Sequence, residues 1–537
     1  METTTTSRRW RALLLGSVAA CAACGLVYEL ALLALSASLG RGDVVANSLI
    51  VAGYVAALGF GAVVAKPFVR RAAVSFLGIE CALGLLGGVS ATALYWVFSV
   101  TGESLGALVA ATFIIGTLVG AEVPLLMTLL QTGRTSSAED TGRVLANLNA
   151  ADYFGALVGG LIWPFVLLPT VGMLKATAIA GLINVTAALV IAALLLKQML
   201  SRRALVTAVA ALVAALVGLV ALLAGIRDIE ATARQSLYAQ PIVFAKHSKY
   251  QDIVVTRFGG DRRLYLDGGL QYSSRDEYRY TESLVYPAVD KDTKSALILG
   301  GGDGLAAREL LRMPNIERIV QVDLDPDVIE VARTVLREDN GGSLDNPRVE
   351  KVTADAFAWL HDQARGKTQT QKFDAIYADL PDPDNAVLAK LYSQEFYGLI
   401  RTVAAPGAKL VVQSGSPFST PQAFWRTDSS IRAAGWSTTP YHVHVPTFGD
   451  WGFVLAQAEP EPPTLELYDG APPLKFLTPD VARAAAVFGA DNGPQQLEPS
   501  TLAHPRIVED IRRGWRQAGE ECAEYFAKSR ASSRSAV

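Results

Sequence analysis

The sequence predicts a multi-pass α-helical membrane domain, followed by a small antiparallel β domain and an α/β domain. Residues 10–225 are dominated by Ala, Leu, Val and Gly, whereas residues 230–537 have the composition of a soluble protein. Beyond residue 290, short apolar runs alternate with helical stretches. A chain of 537 residues is also too long for one ordinary domain. We therefore divide it into 1–229, 230–290, 291–470 and a helical or irregular tail, 471–537.

Seven stretches are long and apolar enough to cross a bilayer, whose hydrocarbon core needs about 20 residues of helix. Asp152 and Pro164 interrupt the fifth stretch. The seven predicted spans are 12–36, 45–66, 73–99, 105–130, 148–170, 173–196 and 204–225. Close helix packing is expected at two glycine runs. These are Gly53, Gly59 and Gly61, and Gly155, Gly159 and Gly160.

Lysines and arginines predict the orientation of these spans, because short cytoplasmic loops carry an excess of both. The short loops of one side hold only Arg41 and, at a helix edge, Lys175. The N-terminus is therefore expected in the cytoplasm, and seven spans would place the chain from residue 230 onward outside. The side of the soluble half stays open. The eleven cations of the other side are Arg8, Arg9, Arg11, Lys66, Arg70, Arg71, Arg134, Arg143, Lys197, Arg202 and Arg203.

Four acidic residues lie within the predicted spans. Ionisable groups in lipid are costly, and they usually line a pathway or pair with a partner. The sequence leaves open whether these acids bind a cation or hold helices together. They are Glu29, Glu80, Glu122 and Asp152.

The soluble half begins with a predicted antiparallel sheet. Its β-prone runs at 241–244, 251–256 and 263–267 are separated by turn residues. A different pattern follows, because the apolar run at 295–300 leads into a glycine-rich turn and a helical stretch. Repeated alternation of strand and helix predicts a parallel sheet with helices on both faces.

Three features at successive strand ends predict a nucleotide-type ligand site. The turn that holds Gly300, Gly302 and Asp303 joins a strand to a helix, so a ligand could approach the backbone at the positive helix end. Asp323 ends the second strand, where an acid typically bonds ribose hydroxyls. Asp355 follows the third strand, beside the expected adenine. Each acid alone could be an ordinary strand-end carboxylate, but three such features together favour a site.

An acidic loop follows the fourth strand. Asp379, Asp382 and Asp384 are separated by two prolines and fall at the carboxyl edge of the predicted sheet. Ligands of open α/β sheets bind at that edge. The loop therefore predicts a ligand with more than one positive charge.

Six motifs, in order and at the expected spacing, resemble those of spermidine synthase. The resemblance covers residues 240–460 and implies a Rossmann-like domain of the methyltransferase type. With its apolar half, the chain resembles the membrane-bound branch of the bacterial polyamine aminopropyltransferases. The motifs are Tyr250-Gln251-Asp-Ile, Leu266-Asp-Gly-Gly-Leu-Gln271, Arg275-Asp-Glu-Tyr-Arg-Tyr280-Thr-Glu282, Gly300-Gly-Gly-Asp303-Gly, Val322-Asp323-Leu-Asp325 and Asp379-x-x-Asp382-Pro.

The resemblance implies a reaction and a set of roles. Members transfer a propylamine group from decarboxylated S-adenosylmethionine to putrescine, which gives spermidine and methylthioadenosine. Asp379 is then expected to be the catalytic carboxylate, and no metal or prosthetic group is implied. The residues expected to bind the aminopropyl donor are Gln251, Gly300, Gly302, Asp303, Asp323 and Asp355. The residues expected to line the acceptor side are Gln271, Tyr280, Glu282 and Asp382.

The chain departs from the family pattern at three positions. Thr281 stands where members commonly have His, Phe448 stands where soluble members often have Tyr, and Leu305 replaces a further glycine. The carboxylates are intact, so a working enzyme is expected. The identity of the acceptor amine stays open.

Two other hypotheses remain beside the enzyme. In the first, the membrane half is a polyamine transporter or sensor, and the soluble half binds the ligand without turnover. In the second, the chain is a methyltransferase, which would bind the carboxylated cofactor instead.

The resemblance also implies possible homo-oligomers in a bacterial cell membrane, with the lipid bilayer as a further partner. A net charge of −3 does not indicate a nucleic-acid surface. Cys21 and Cys24 lie in an apolar helix and are interpreted as packing residues, not as metal ligands.

Overall fold

The computed structural model describes residues 2–38, 44–102, 104–131, 138–196, 199–366 and 371–519. It contains two compact units, Met1–Ala239 and Gln240–Val537. The boundary predicted at residue 229 falls inside a helix that continues to Ser236. The apolar run ends earlier, but the polar residues that follow it are good helix formers. A boundary predicted from hydropathy alone is therefore too early. Arg41, Arg134, Lys197 and Cys522 lie outside the described residues.

The first unit is built from long helices. Seven of the described helices are long and apolar enough to cross a membrane, as the sequence predicted. The interruption at Pro164 is a π-helical turn, Trp163–Leu167, which lets the fifth helix continue without the N–H that proline lacks. The helices are α1 (Glu2–Ser36), α2 (Val44–Val64), α3 (Ala72–Thr101), α4 (Leu105–Gln131), α5 (Ala138–Ile162), the short α6 (Leu168–Val171), α7 (Met173–Ile191) and α8 (Arg202–Ser236).

Some of the predicted glycines allow helix backbones to touch. A Cβ on Gly155 or Gly159 of α5 would overlap the backbone of α1 at Ala19 or Ala23. Gly61 of α2 makes the same kind of approach to α4. By contrast, a Cβ on Gly53 or Gly59 would meet no atom within 4 Å, so that part of the prediction was wrong. These two glycines lie on a face of α2 that none of the other described helices approaches closely.

Two of the four acids predicted within the spans meet inside the first unit. The Glu80 carboxylate accepts hydrogen bonds from Asn184 Nδ2 at 2.9 Å and from Cys21 Sγ at 3.4 Å. It is also hydrogen-bonded to the buried Glu122 carboxyl. Glu29 and Asp152 are both half-buried. The contacts of Glu80 join α1, α3, α4 and α7, which supports the helix-joining interpretation for this pair.

The second unit begins with a four-stranded antiparallel sheet in the order β1-β2-β3-β4. Asp267 adopts φ +49° in the turn between its last two strands. An acidic residue tolerates this left-handed conformation better than most residues with a Cβ. The strands are β1 (Ile242–His247), β2 (Asp252–Phe258), β3 (Asp261–Leu266) and β4 (Gly269–Ser273).

A seven-stranded sheet follows, in the order β10-β11-β9-β8-β5-β6-β7. Strands β5 to β9 are parallel as predicted, whereas β10 and β11 form an antiparallel hairpin at one edge. The connection from Val445 to Gly449 is too short for a parallel crossover. The strands are β5 (Ser295–Gly300), β6 (Arg318–Asp323), β7 (Val349–Thr353), β8 (Phe373–Asp379), β9 (Ala404–Gln413), β10 (Ser437–Val445) and β11 (Gly449–Gln457).

Helices cover both faces of this sheet. Along β5, Ala296 and Ile298 pack in one hydrophobic core, while Leu297 and Leu299 pack in the other. A strand buried on both faces explains why this run is apolar throughout. The helices are α9 (Glu277–Val285), α10 (Leu305–Leu311), α11 (Pro326–Thr334), α12 (Ala356–Ala364), α13 (Ala386–Ala389), α14 (Gln394–Val403), α15 (Pro421–Ala433), α16 (Pro479–Ala485) and α17 (507–519).

The glycine contacts of the first unit can be tested with a matched pair. Gly155→Ala should lower the free energy of unfolding by about 1–3 kcal/mol, because the added methyl group meets backbone that cannot move aside. Gly53→Ala should leave stability unchanged or raise it slightly, since alanine is the better helix former. The midpoint of unfolding in an SDS titration of the detergent-purified protein measures both. Equal midpoints for the two variants would contradict the close approach.

Candidate active site

Three predicted carboxylates lie at neighbouring strand ends of the seven-stranded sheet. Asp379 ends β8 and is paired directly with Gly300, the last residue of β5. Asp323 ends β6, on the other side of β5. Asp303 lies in the turn that leads from β5 into α10. The parallel sheet therefore brings these three acids to one edge, as the sequence predicted.

The glycine turn fits only because two of its residues lack a side chain. Gly300 has φ +84°, and a Cβ there would overlap the backbone carbonyl oxygen of Asp379. That oxygen accepts a hydrogen bond of 3.0 Å from the N–H of Gly301. A Cβ on Gly302 would lie 2.5 Å from Asp323 Oδ2. The turn thus lies directly against Asp323 of β6 and Asp379 of β8.

Burial shifts the protonation of these acids. Loss of water and, to a smaller extent, the negative charge of Asp379 together raise the pKa of Asp303 to about 7. Burial likewise raises the pKa of Asp323 to about 6 and that of Asp379 to about 6. Each carboxylate is therefore poorly solvated when charged, and a bound cation would stabilise all three.

Tyr280 of α9 is joined to the expected catalytic carboxylate. Its hydroxyl donates a 2.5 Å hydrogen bond to Asp379 Oδ1. Burial and the Asp379 charge raise the pKa of Tyr280 well above its usual value, so the phenol remains protonated and keeps this donor role. The second oxygen, Asp379 Oδ2, faces the glycine turn and would lie 3.1 Å from a Cβ on Gly301.

An aromatic wall extends from Tyr280 and includes a residue that the sequence analysis missed. The ring of Tyr280 lies 6.0 Å from that of Phe448, which in turn lies 5.1 Å from that of Trp451. The indole N–H of Trp451 is buried and has no hydrogen-bond partner within the described residues. The sequence analysis identified Phe448 only as a position where soluble members of the family often have Tyr. Its position in the β10–β11 hairpin was the signal that could have identified Trp451 as its neighbour.

The acidic loop is held in place by residues of β9 and the following segments. Gln413 Nε2 lies 3.4 Å from Asp382 Oδ1 and donates to the Tyr392 hydroxyl at 2.7 Å. Burial raises the pKa of Asp382 to about 6, although hydrogen bonds from Gln413 and Trp515 lower it in part. The sequence analysis predicted neither Gln413 nor Tyr392, because both residues are distant from the loop in sequence and only the fold brings them close to it.

Asp355 has a cationic partner that the sequence did not reveal. Its Oδ1 caps α12 by accepting from the N–H of Ala358 at 2.9 Å, and its Oδ2 accepts from Lys390 Nζ at 2.6 Å. Burial alone would raise the pKa of Asp355, but the Lys390 ammonium and the helix amides lower it overall. A ligand amine at Asp355 would therefore share this carboxylate with Lys390.

The two predicted glutamines differ in their placement. Gln251 Nε2 donates to Asp325 Oδ2 at 3.0 Å, and Asp325 caps α11 just after the end of β6. Gln251 is thus tied to the loop that carries Asp323. Gln271 Nε2 instead donates to the carbonyl of Gly269 on its own strand at 3.2 Å. Among the described residues, Gln271 forms no hydrogen bond with the carboxylates of the site.

Glu282 does not join the other predicted acceptor-side residues. Both of its carboxylate oxygens accept hydrogen bonds of 2.8–2.9 Å from the backbone N–H groups of residues 475–477. The side chain is buried and anchors this later segment to α9. We therefore correct the expectation for Glu282: its geometry supports a structural role, because its acceptor positions are already used by the chain.

The departure at Thr281 has a local explanation. Its hydroxyl donates to Glu277 Oε2 at 2.8 Å, and Glu277 in turn binds the guanidinium of Arg308 at 2.8 Å. Arg308 also pairs with Glu309. The Arg308 charge partly offsets the acidity of the site, because it lowers the pKa of Asp303. The fold and this site define an α/β domain with a cluster of buried carboxylates at the carboxyl edge of its sheet.

Comparisons with known proteins agree with this class. Residues 277–469 match the spermine/spermidine synthase domain. The "Polyamine aminopropyltransferase" of Mycobacterium tuberculosis (strain ATCC 25618 / H37Rv) is 60% identical over 517 residues, which cover 96% of this chain and 98% of that protein. The Corynebacterium efficiens protein of the same name is 58% identical over 515 residues, with 96% and 98% covered. Among solved structures, spermidine synthase from Thermotoga maritima is 25% identical, with a TM-score of 0.42 over 46% of this chain and 85% of that one.

The chain therefore belongs to the polyamine aminopropyltransferase family. The near-complete coverage of the mycobacterial relative includes the helical unit as well as the soluble one. The resemblance to spermidine synthase predicted from the six motifs is confirmed, and the protein is a transferase.

The raised pKa values predict an acid limb in the pH profile of donor use. Asp303, Asp323 and Asp379 must be ionised to bind a cation, and their pKa values lie at about 6 to about 7. The kcat/KM for the aminopropyl donor should therefore fall as the pH drops through this window. Because the three acids lie close together, the apparent pKa values of the profile describe the cluster and not a single residue. Initial rates between about pH 4 and pH 9 test this. A profile that stays flat down to about pH 4, near the pKa of an ordinary Asp, would contradict it.

Proposed function

We propose that this protein transfers the propylamine group of decarboxylated S-adenosylmethionine to putrescine, which yields spermidine and methylthioadenosine. The observation that carries the proposal is the cluster of Asp303, Asp323 and Asp379 at one sheet edge, with Tyr280 bonded to Asp379. A site made of buried acids suits a donor that carries a sulfonium and an ammonium but no carboxylate. It suits ordinary S-adenosylmethionine less well, because that cofactor adds a negative charge.

Four side chains and the glycine turn would hold the donor. Asp323 lies at a strand end suited to the ribose hydroxyls, and the adenine amine would meet Asp355 beside Lys390. Asp303 would bind the terminal ammonium of the propylamine group. Gln251 would contact the nucleoside from the small sheet, since its bond to Asp325 holds it near the end of β6. Gly300 and Gly302 would leave room for the donor along the turn.

The transfer itself is a nucleophilic displacement. The lone pair of a neutral acceptor amine attacks the methylene carbon bonded to sulfur, and the C–S bond breaks with its electron pair moving to sulfur. The sulfonium becomes a neutral thioether, and the new ammonium nitrogen then loses a proton. Because sulfonium is a good leaving group, alignment of the two substrates would supply much of the catalysis.

Asp379 would orient the attacking amine and stabilise the positive charge that develops on it. Its pKa is raised to about 6 by burial, which brings it closer to that of an amine near 10.4 than an ordinary Asp would be. Proton removal by Asp379 would therefore follow bond formation, directly or through water. Tyr280 would hold Asp379 Oδ1, which leaves Oδ2 free to face the amine.

The other substrate and partner roles are part of the same proposal. Asp382 would bind the acceptor beside Asp379, and Gln271 would require a side-chain rotation to reach it. The seven apolar helices support placement as a multi-pass protein in the cell membrane. Self-association is expected from the resemblance to soluble synthases. The pure transporter or sensor alternative is not favoured, because the chain belongs to an enzyme family.

Turnover by the detergent-purified full chain tests the proposal directly. The protein should convert decarboxylated S-adenosylmethionine and putrescine to equal amounts of spermidine and methylthioadenosine. Asp379→Asn should lower kcat by about 10²–10⁴-fold, because it removes the negative charge and the proton acceptor. Asp480→Asn, whose side chain is 87% exposed in a surface ion pair, is the matched control and should behave as the unmodified chain. Binding of both substrates without any product would refute the proposed reaction.

A further inference from the structure

The C-terminal helix α17 packs onto the soluble unit although it lies outside the matched synthase domain, which ends at residue 469. Ile507 and Ile511 are buried in one of the two hydrophobic cores beside the sheet. Asp510 forms a buried ion pair with Arg426 of α15. Charged groups are buried in this way only when they are well paired, so this helix has one fixed position on the domain.

Two further contacts place α17 beside the acidic loop. Arg512 Nε donates a 2.8 Å hydrogen bond to the carbonyl oxygen of Asp384. A Cβ on Gly514 would lie 2.6 Å from the carbonyl oxygen of Ser419 and 2.8 Å from Thr420 Cα. The helix can approach this closely only because residue 514 is glycine. The helix is therefore held against the acidic loop at Arg512 and against residues 419–420 at Gly514.

This position brings Trp515 to the proposed acceptor carboxylate. The side chain of Trp515 is a hydrogen-bond partner of Asp382, yet 42% of the residue remains exposed to solvent. One edge of the indole therefore meets the acidic loop while the rest faces outward. Indole is a donor only, so it satisfies a carboxylate oxygen that would otherwise be open to a further ammonium group.

We infer that Trp515 determines the length of the acceptor amine by forming the outer wall of the acceptor pocket at Asp382. This inference rests on the proposed function. A diamine needs to place only two amino groups near Asp379 and Asp382. A longer polyamine must extend past Asp382, where the indole occupies the space.

The Trp515 wall would affect which acceptor amine binds and would leave the transfer of the propylamine group unchanged. Trp515 contacts Asp382 and is not a recorded partner of Asp379 or Tyr280, which are bonded to each other. Its removal should therefore change which amine is used and leave donor affinity unaltered. A pocket that excludes a ligand by size discriminates by about 10–200-fold for a small change in length.

The test compares putrescine with the triamine spermidine as acceptors for the full chain in detergent. Trp515→Ala should raise the ratio of kcat/KM for spermidine to kcat/KM for putrescine by about tenfold, with the donor KM unchanged. Trp515→Phe keeps a ring in place and should retain most of the original ratio. Arg516→Ala, at the exposed neighbouring position, is the matched control and should match the unmodified chain. Circular dichroism and thermal unfolding establish that each variant is folded.

Calorimetric titration of both amines, with methylthioadenosine present, separates this inference from the proposed reaction. If the unmodified chain gives no product, the proposed reaction fails, and the ratio of the two binding constants tests the wall instead. A binding or kinetic ratio that shifts in Trp515→Ala but not in Arg516→Ala supports the wall. An unchanged ratio in Trp515→Ala, or an equal shift in Arg516→Ala, would overturn it.

Discussion

The soluble unit is organised around the cost of holding several carboxylates together with little water. Burial raises the pKa of Asp303 to about 7 and the pKa values of Asp323 and Asp379 to about 6. When no cation is bound, the folded state therefore keeps protons that the unfolded chain would already have released. The contribution of these acids to stability is present below the usual Asp pKa of about 3.9 and is lost as the pH rises toward 6 to 7. A cationic substrate reverses this loss, because it stabilises the charged forms.

The rest of the fold supplies the positions that this electrostatic arrangement needs. The parallel strands bring Asp323 and Asp379 to one edge, and the glycine turn approaches both closely enough to define the ligand space. Tyr280 reaches Asp379 from α9, and Lys390 reaches Asp355 from the segment after the acidic loop. Each of these contacts joins residues from different elements. The site therefore depends on the packing of the whole unit, with the C-terminal helix α17 included.

Local patterns were enough to predict the framework of the molecule. The strands at 295–300 and 349–353, the seven long helices and the acids at the strand ends are encoded in short apolar runs and the residues that follow them. Contacts between distant segments could not be predicted in this way. The Glu282 carboxylate accepts hydrogen bonds from backbone amides 193 to 195 residues later in the chain. No pattern in the sequence near Glu282 predicts these bonds. The contacts of Lys390, Trp451 and Trp515 were missed for the same reason. The continuation of α8 to Ser236 was missed because its last turns are polar and charged, so hydropathy does not mark them as helix.

The central claim is that the site recognises a cation through carboxylates whose pKa values burial has raised. Calorimetric titration of decarboxylated S-adenosylmethionine at pH 6.5, in two buffers of different ionisation enthalpy, measures the protons exchanged on binding. The account predicts net proton release, because the bound cation drives Asp303 and its neighbours into their charged forms. It also predicts that the release diminishes at pH 8, where these acids are already ionised. Binding that exchanges no protons at pH 6.5, or that takes protons up, would contradict the account.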